Sequence, residues 1–218
     1  IIAGPSTNKR SSATCPKCGY TTPRERLAKQ SQQRLFSETL LVVVKRDASG
    51  KKFYSSPTNK DLESFDLAKL RIKHFEEKNP ARYIIAEELP YLRSIFNVHV
   101  YSMNTWGKLF NPRQRLSVFT FADLIAFELP KKLKAAGLDN NIAQAIETLL
   151  AFCVDRIADY SSSICRWDLD QQRTINTFCR QALGMVWDYA ENVPYAWTVG
   201  SWDSMLDSII NVVESTNK

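Results

Sequence analysis

The sequence predicts an α+β protein that is predominantly α-helical, in which an N-terminal zinc-knuckle half and a β-hairpin precede a helical, bundle-like domain. Apolar residues recur at a spacing of about 3.6 between residues 142 and 157, which is typical of one buried helix face. A β-branched run, a polar turn and a second short run lie between residues 35 and 56 and predict the hairpin. A C-x2-C pair near the start predicts the knuckle.

Composition divides the 218 residues into three parts. Residues 1–13 are polar and turn-rich, so we expect a linker or a frayed end, whereas residues 14–58 hold the partial zinc ribbon and the hairpin, and residues 59–218 the helical domain. The chain begins with Ile1 and no signal peptide is visible, so we expect a piece of a longer or processed protein. No apolar run approaches ~20 residues, and the five cysteines form no paired framework. We therefore expect a cytoplasmic protein with no membrane partner.

The knuckle is the sequence Cys15-Pro16-Lys17-Cys18-Gly19. A tight turn of this kind directs two thiolates at one metal ion, and glycine permits the positive φ that the turn needs. A complete zinc ribbon needs a second C-x2-C pair about 15 to 20 residues away, but the next cysteine is Cys153. We therefore expect Cys15 and Cys18 to form half of a zinc site, with the other half upstream or missing. A redox pair and two unpaired surface thiols remain as alternatives.

Sequence patterns also predict the elements up to residue 100. They are a strand over 35–44, a turn over 47–50, a return strand over 52–54, an amphipathic helix over 61–78 and, at best, short strands at 83–85 and 96–100.

The rest of the chain is predicted to be helical. The first helix begins at Asn111-Pro112, is kinked or broken at Pro130 and is closed by a C-cap at Gly137. A helix capped by Asp139 and a helix over 171–191 follow. Ser201 opens the last helix, whose buried residues are expected to be Met205, Leu206, Ile209, Val212 and Val213. Cys153 and Cys179 fall on apolar faces of these helices, so we expect buried thiols. Trp187 is likewise expected in the core.

Charge and glycine content restrict the function. Residues 1–60 carry 12 Lys and Arg against 3 Asp and Glu, whereas the remaining residues carry 17 against 20. A basic front end suits a polyanion such as DNA, although a solvated, solubilising surface would have the same composition. The seven glycines are all isolated, so there is no glycine-rich loop to hold ATP, NAD or S-adenosylmethionine. The two histidines have no catalytic partner at a recognisable spacing, so we expect no catalytic residues in this chain.

Four blocks of sequence together resemble a known family. They are 14–23 (TCPKCGYTTP), 106–114 (WGKLFNPRQ), 155–160 with 163–168 (DRIADY and SICRWD), and 177–191 (TFCRQALGMVWDYAE). In this order and spacing they are similar to the middle of the bacterial and archaeal adenine-specific DNA methylases that contain a zinc ribbon. The resemblance covers about residues 14–214. Lys108, Ser162 and Cys179 depart from it, since the family usually has Asp, Asn and Gly there.

The resemblance implies a large S-adenosylmethionine-dependent enzyme that methylates the N6 of adenine in DNA. In that family the cofactor motif comes before a region like this one, and the catalytic Asp-Pro-Pro-Tyr comes after it. This chain would then be the intervening insert, with no catalytic motif and no expected affinity for the cofactor. Its partners would be DNA and the missing catalytic portions of the parent chain. Residues 192–195 (NVPY) look like a variant of the catalytic motif but are expected to be a helix-ending loop.

The candidate DNA-binding residues fall into two groups. Around the hairpin turn they are Lys45, Arg46, Lys51 and Lys52, and in the resembling blocks they are Arg113 in the first turn of a helix, Arg166 beside Trp167 in a loop, and Arg180 on a helix. Arginine can clamp phosphate or read guanine, and tryptophan can stack on an extruded base. The structural alternatives are an ion pair of Arg166 with Asp168 or Asp159, and a core position for Trp167. The alternative function is a stand-alone nucleic-acid-binding or protein-interaction module.

Overall fold

The computed structural model has the expected α+β, mostly helical architecture. The structure describes residues 8–9, 12–15, 17–33, 36–92, 95–196 and 198–216. In that part of the chain, no helix combines the length and the apolar character that crossing a membrane would require.

A small antiparallel sheet carries the knuckle. Its strands are β1 (Asn8–Lys9), β2 (Ser12–Thr14) and β3 (Thr21–Thr22), and the turn between β2 and β3 holds the two cysteines. The sheet thus extends into residues that the composition predicted to be linker; the rest of that linker, residues 1–7 and 10–11, lies outside the described residues. The following helix, α1 (Arg24–Gln32), was not anticipated because it buries only Leu27 and Ser31.

The predicted hairpin is confirmed in a shorter form, as β4 (Val43–Arg46) paired with β5 (Lys52–Ser55). Its turn is held by the Asp47 carboxylate, which accepts hydrogen bonds from the backbone N–H groups of Ser49 (2.9 Å) and Lys51 (3.0 Å). Residues 36–42 form no strand, and Leu35 of the predicted strand lies outside the described residues.

Helix α2 (Asn59–Lys78) confirms the predicted amphipathic helix and begins with a capping box between Thr58 and Asp61. The predicted strands at 83–85 and 96–100 are wrong. Pro80 starts a short helix, α3 (Pro80–Tyr83), and Asn97–Tyr101 is a 3₁₀ helix. Three residues per turn place Val98 and Tyr101 on one side of this helix, where both are buried. The apolar residues that suggested a strand are therefore part of a 3₁₀ helix.

Helix α4 (Pro112–Asp123) begins at the predicted capping residue, Asn111, and a second 3₁₀ helix (Trp106–Leu109) precedes it. Pro130 does not end the helical path. A π turn (Leu124–Glu128), in which the Leu129 N–H bonds to the carbonyl of Leu124, widens the helix before the proline, and α5 (Leu129–Ala135) continues.

The caps that follow α5 are confirmed. Gly137 has φ +74°, and the Asp139 side chain accepts a hydrogen bond from the Asn141 N–H at the start of α6 (Asn140–Asp159). Cys153 and Ile157 on the predicted face of α6 are fully buried, whereas Ile142 at the start of that face is 55% exposed, so the face is buried only toward the end of the helix.

The helix predicted over 171–191 is wrong. The chain forms a second hairpin, β6 (Arg166–Asp168) with β7 (Arg173–Ile175), and continues irregularly to the last helix, α7 (Trp202–Thr216). Cys179 and Arg180 are therefore exposed loop residues. Trp187 is 38% exposed, and its ring packs edge-on to those of Phe36 and Tyr101.

Helix α7 begins beside Ser201 as predicted, but it has no buried residue. Val212 is 62% exposed and Val213 is also exposed, which corrects the prediction that they are buried. A core cluster of the described residues joins loops rather than long helices: Leu89, Val98, Leu109, Ile164 and Leu183.

Candidate nucleic-acid interface

The two knuckle cysteines lie together on the surface. The backbone N–H groups of Cys18 and Lys17, together with the Cys18 thiol, hydrogen-bond to the Cys15 sulfur and lower the pKa of the Cys15 thiol. Gly19 has the expected positive φ, +72°, and its N–H bonds to the Cys15 carbonyl at 2.9 Å. The arrangement fits two of the four ligands of a structural zinc ion. The described residues contain no group of three or more potential metal ligands.

The first hairpin packs against the second through predicted DNA-binding residues. The Lys52 ammonium group donates a hydrogen bond to the Gln172 carbonyl at the end of the β6–β7 turn. It also lies 5.8 Å from the centre of the Trp167 ring, and the Tyr54 ring meets Trp167 edge-on at 6.2 Å. Trp167 is therefore a half-buried contact between the hairpins rather than a free platform or a core residue.

Other cations of the first hairpin surround this contact. Arg46 pairs with Lys52 in the strand register, so the two side chains share one face of the hairpin. Burial, and then the charge of Arg46, lowers the pKa of Lys52. Lys51 is exposed in the turn. This group of Arg46, Lys51, Lys52 and Trp167 is called the hairpin junction below.

Lys45 lies on the opposite face of the first hairpin and approaches the start of α2. Hydrogen bonds from Thr58, followed by the charges of Lys45 and Arg113, lower the pKa of Asp61. Lys45 therefore belongs to a mixed-charge surface and is separated from the hairpin junction by the thickness of the β-ribbon.

Arg113 is occupied by an ion pair. Its guanidinium lies 2.8 Å from Glu191 and 5.0 Å from the centre of the Phe65 ring, and the side chain is mostly buried. This position favours a structural role for Arg113, because an arginine paired in this way has fewer free donors for DNA.

A network of polar side chains continues from that ion pair. Asn111 donates to Glu191 and to the Tyr189 hydroxyl (2.8 Å), which in turn donates to Glu38 (3.1 Å). The network thus ties residues 36–42 to the start of α4 and to the loop at 189–191.

Arg166 lies in strand β6 and not in the predicted loop, and Arg180 lies in the exposed segment that follows β7. Arg166 pairs with neither predicted carboxylate, because it donates to the Cys179 sulfur at 3.4 Å. Asp159 pairs instead with Arg156 (2.8 Å), and Asp168 lies 4.0 Å from Arg173. The Cys179 contact is long-range and had no signal in the local sequence pattern.

Asp159 and Phe178 are not among the site residues predicted from the sequence, but the structure brings them together. Asp159 is only 6% exposed, and its carboxylate accepts hydrogen bonds from the Asn176 side chain (2.8 Å) and the Phe178 N–H (3.0 Å). Its carbonyl accepts two more from Thr177. The signal available was that both residues fall in the blocks that carry the family resemblance.

The NVPY segment forms a closed loop. The Asn192 amide nitrogen donates to the Val199 carbonyl (2.9 Å), and its oxygen accepts from the Thr198 hydroxyl (3.0 Å). The side chain that would hold an adenine amino group in the catalytic motif is thus engaged within the loop, but the loop ends no helix, because the helix predicted over 171–191 does not form.

Compared with known proteins, the chain matches no family model, no curated protein and no solved structure. The resemblance to zinc-ribbon adenine methylases therefore rests on the four sequence blocks, and the function it implies is a proposal.

Proposed function

We propose that this chain is the DNA-positioning insert of an S-adenosylmethionine-dependent, adenine-specific DNA methyltransferase and carries no catalytic motif itself. One observation carries the proposal: the hairpin junction joins two parts of the chain that point to DNA on separate grounds. Arg46 and Lys52 come from the basic front end, and Trp167 comes from a block that resembles the methylases. Their contact spans more than a hundred residues of sequence.

The charges at the junction suit a phosphate backbone. Arg46 and Lys51 are exposed. The Asp47 carboxylate lies between them in the sequence and accepts hydrogen bonds from Ser49 and Lys51 of its own turn. It therefore competes with a DNA phosphate for Arg46 and Lys51 less strongly than a free carboxylate would. Lys and Arg on DNA release condensed counterions, so binding of this kind is sequence-independent and falls steeply with salt.

Zinc and S-adenosylmethionine have different places in this proposal. Cys15 and Cys18 would hold one side of a structural zinc ion, which would fix the sheet of β1–β3 beside α1. The remaining ligands would come from elsewhere in the parent protein. S-adenosylmethionine would bind the catalytic portions of the parent chain, in the cytoplasm.

The test is fluorescence anisotropy of labelled duplex DNA across a salt series. With ~4 to 6 phosphates engaged, the plot of log affinity against log salt should have a slope of about −4 to −5. The double variant Arg46→Gln/Lys51→Gln should flatten that slope by nearly two. Lys73→Gln is the matched control, because Lys73 is an exposed lysine of α2 paired only with Glu77.

Absence of binding at ~50 mM salt would contradict the proposal. A change of slope of nearly one in the control, the same per removed charge as in the double variant, would show that DNA responds to overall charge and not to the hairpin junction.

The exposed apolar side of α7 favours the alternative of a protein-interaction module. Ile210 is 43% exposed, Val212 62% and Val213 38%. In the methyltransferase proposal the same surface would face the catalytic portions of the parent chain. Titration with DNA separates the alternatives, because a pure protein-interaction module would not bind it.

A further inference from the structure

The buried carboxylate of Asp159 holds the first part of the loop at residues 176–180 by hydrogen bonds. Asp159 ends α6, and its side chain holds both the Asn176 amide and the backbone N–H of Phe178. Its carbonyl holds the N–H (2.8 Å) and the hydroxyl (2.7 Å) of Thr177. The Thr177 hydroxyl also contacts the fully buried Ser162 hydroxyl at 2.7 Å. These bonds hold the chain at Asn176, at Thr177 and at the backbone N–H of Phe178.

This rigid loop presents a large apolar ring to solvent. Phe178 is 54% exposed, although an aromatic side chain of its size gains stability from burial. Its ring centre lies 6.3 Å from that of Trp106, which packs against the core cluster. The ring is therefore supported on one side and open on the other. The buried network therefore holds the ring where its open side faces solvent.

Two arginines contact or belong to the loop that carries Phe178. Arg166 reaches the residue next to Phe178 through its hydrogen bond to the Cys179 sulfur, and Arg180 is exposed two residues further along. Aromatic faces with cations beside them are typical of proteins that bind single-stranded nucleic acid, since the ring stacks on a base while the cations contact the adjacent phosphates.

We propose that Phe178 is a stacking platform for an unpaired base of DNA, with Arg166 and Arg180 contacting the phosphates on either side of that base. Asp159 is the positioning residue that holds the platform. The proposal rests on the proposed function and names the form of DNA that this loop takes. Bases inside a duplex already stack on each other, so a single ring can stack only on a base that is extruded or single-stranded.

The test compares binding of a single-stranded oligonucleotide and a fully paired duplex of the same sequence. The single strand contains one 2-aminopurine, whose fluorescence is quenched by stacking. Phe178→Ala should weaken single-strand binding about tenfold, since stacking of one base is worth about a factor of five to a hundred, and should abolish the quenching. Phe178→Trp should restore both. Duplex affinity should change less than twofold.

Leu169→Ala is the matched control, because Leu169 is 73% exposed at the tip of the β6–β7 hairpin and lies outside the loop. Thermal melts of all variants should agree within a few degrees. If Phe178→Ala binds the single strand as well as Leu169→Ala does, the stacking platform is refuted and the salt-dependent duplex binding still stands. If the wild-type chain binds neither form of DNA, the proposed function fails together with this inference.

Discussion

Replacing Gly200 by alanine is expected to lower the free energy of unfolding by about 3 kcal/mol. Gly200 precedes α7 with φ +82°, a left-handed conformation that costs an L-residue about 1–2 kcal/mol. A Cβ at this position would lie 2.4 Å from Cγ of Tyr160 and 2.7 Å from its Cβ. Overpacking of this kind typically costs about 1–3 kcal/mol more.

Gly137 provides the matched control. It has φ +74° at the end of α5, but a Cβ there would meet no atom within 4 Å. Gly137→Ala should therefore cost only the backbone term, about 1–2 kcal/mol. The difference between the two variants isolates the contact with Tyr160.

Urea denaturation followed by circular dichroism measures both losses, with equal m-values as the check on two-state unfolding. A second measurement uses Tyr160→Ala, which removes the ring but keeps the Cβ, and which should therefore reduce the additional cost of Gly200→Ala in the double variant. Equal losses for the two glycine variants, or additive losses in the double variant, would refute the steric argument.

Two further predictions concern the polar network and the metal. Burial, followed by the charge of Glu191, raises the pKa of Glu38, so its ionised form is disfavoured in the folded state. Glu38 stabilises the fold fully only when protonated, and this stability is lost as the pH rises through the raised pKa. Glu38→Gln should therefore stabilise the protein near pH 7, by less than about 1 kcal/mol because Glu38 is partly exposed. This gain in the free energy of unfolding should vanish near pH 3. Urea titrations that give the same gain at both pH values would contradict the prediction. Elemental analysis of the purified chain should find far less than one zinc ion per chain, because Cys15 and Cys18 supply only two ligands. Cys15→Ser should remove the zinc that is bound. One tightly held zinc ion per monomer would disprove the half-site.

Local chemistry made several elements predictable. Asn111 and Asp139 cap their helices through hydrogen bonds that reach two or three residues along the chain, and Gly137 ends a helix through its own φ. The turn of the first hairpin depends on Asp47 and its immediate neighbours. Such interactions are complete within a short window of sequence, so a pattern of residue types is sufficient to predict them.

The helix predicted over 171–191 shows where that reasoning fails. Its apolar residues have helical spacing. However, Asp159, which lies outside the segment, accepts hydrogen bonds from Asn176, Thr177 and Phe178. These hydrogen bonds to a buried carboxylate outweigh the small intrinsic preference of the segment for helix. Cys179 is exposed for the same reason, because the loop faces solvent where the helix would have faced the core.

The sequence by itself determined the mostly helical α+β class, the first hairpin, the knuckle and the excess of positive charge at the front end. It also singled out the cations and the tryptophan of the hairpin junction, each from a separate pattern. Only the tertiary structure decided that Lys52 lies against Trp167, that Arg113 is occupied by Glu191, and that Arg166 lies beside the loop of Phe178. These contacts join residues far apart in the chain, and their geometry depends on how whole elements pack, which no local spacing of residue types encodes.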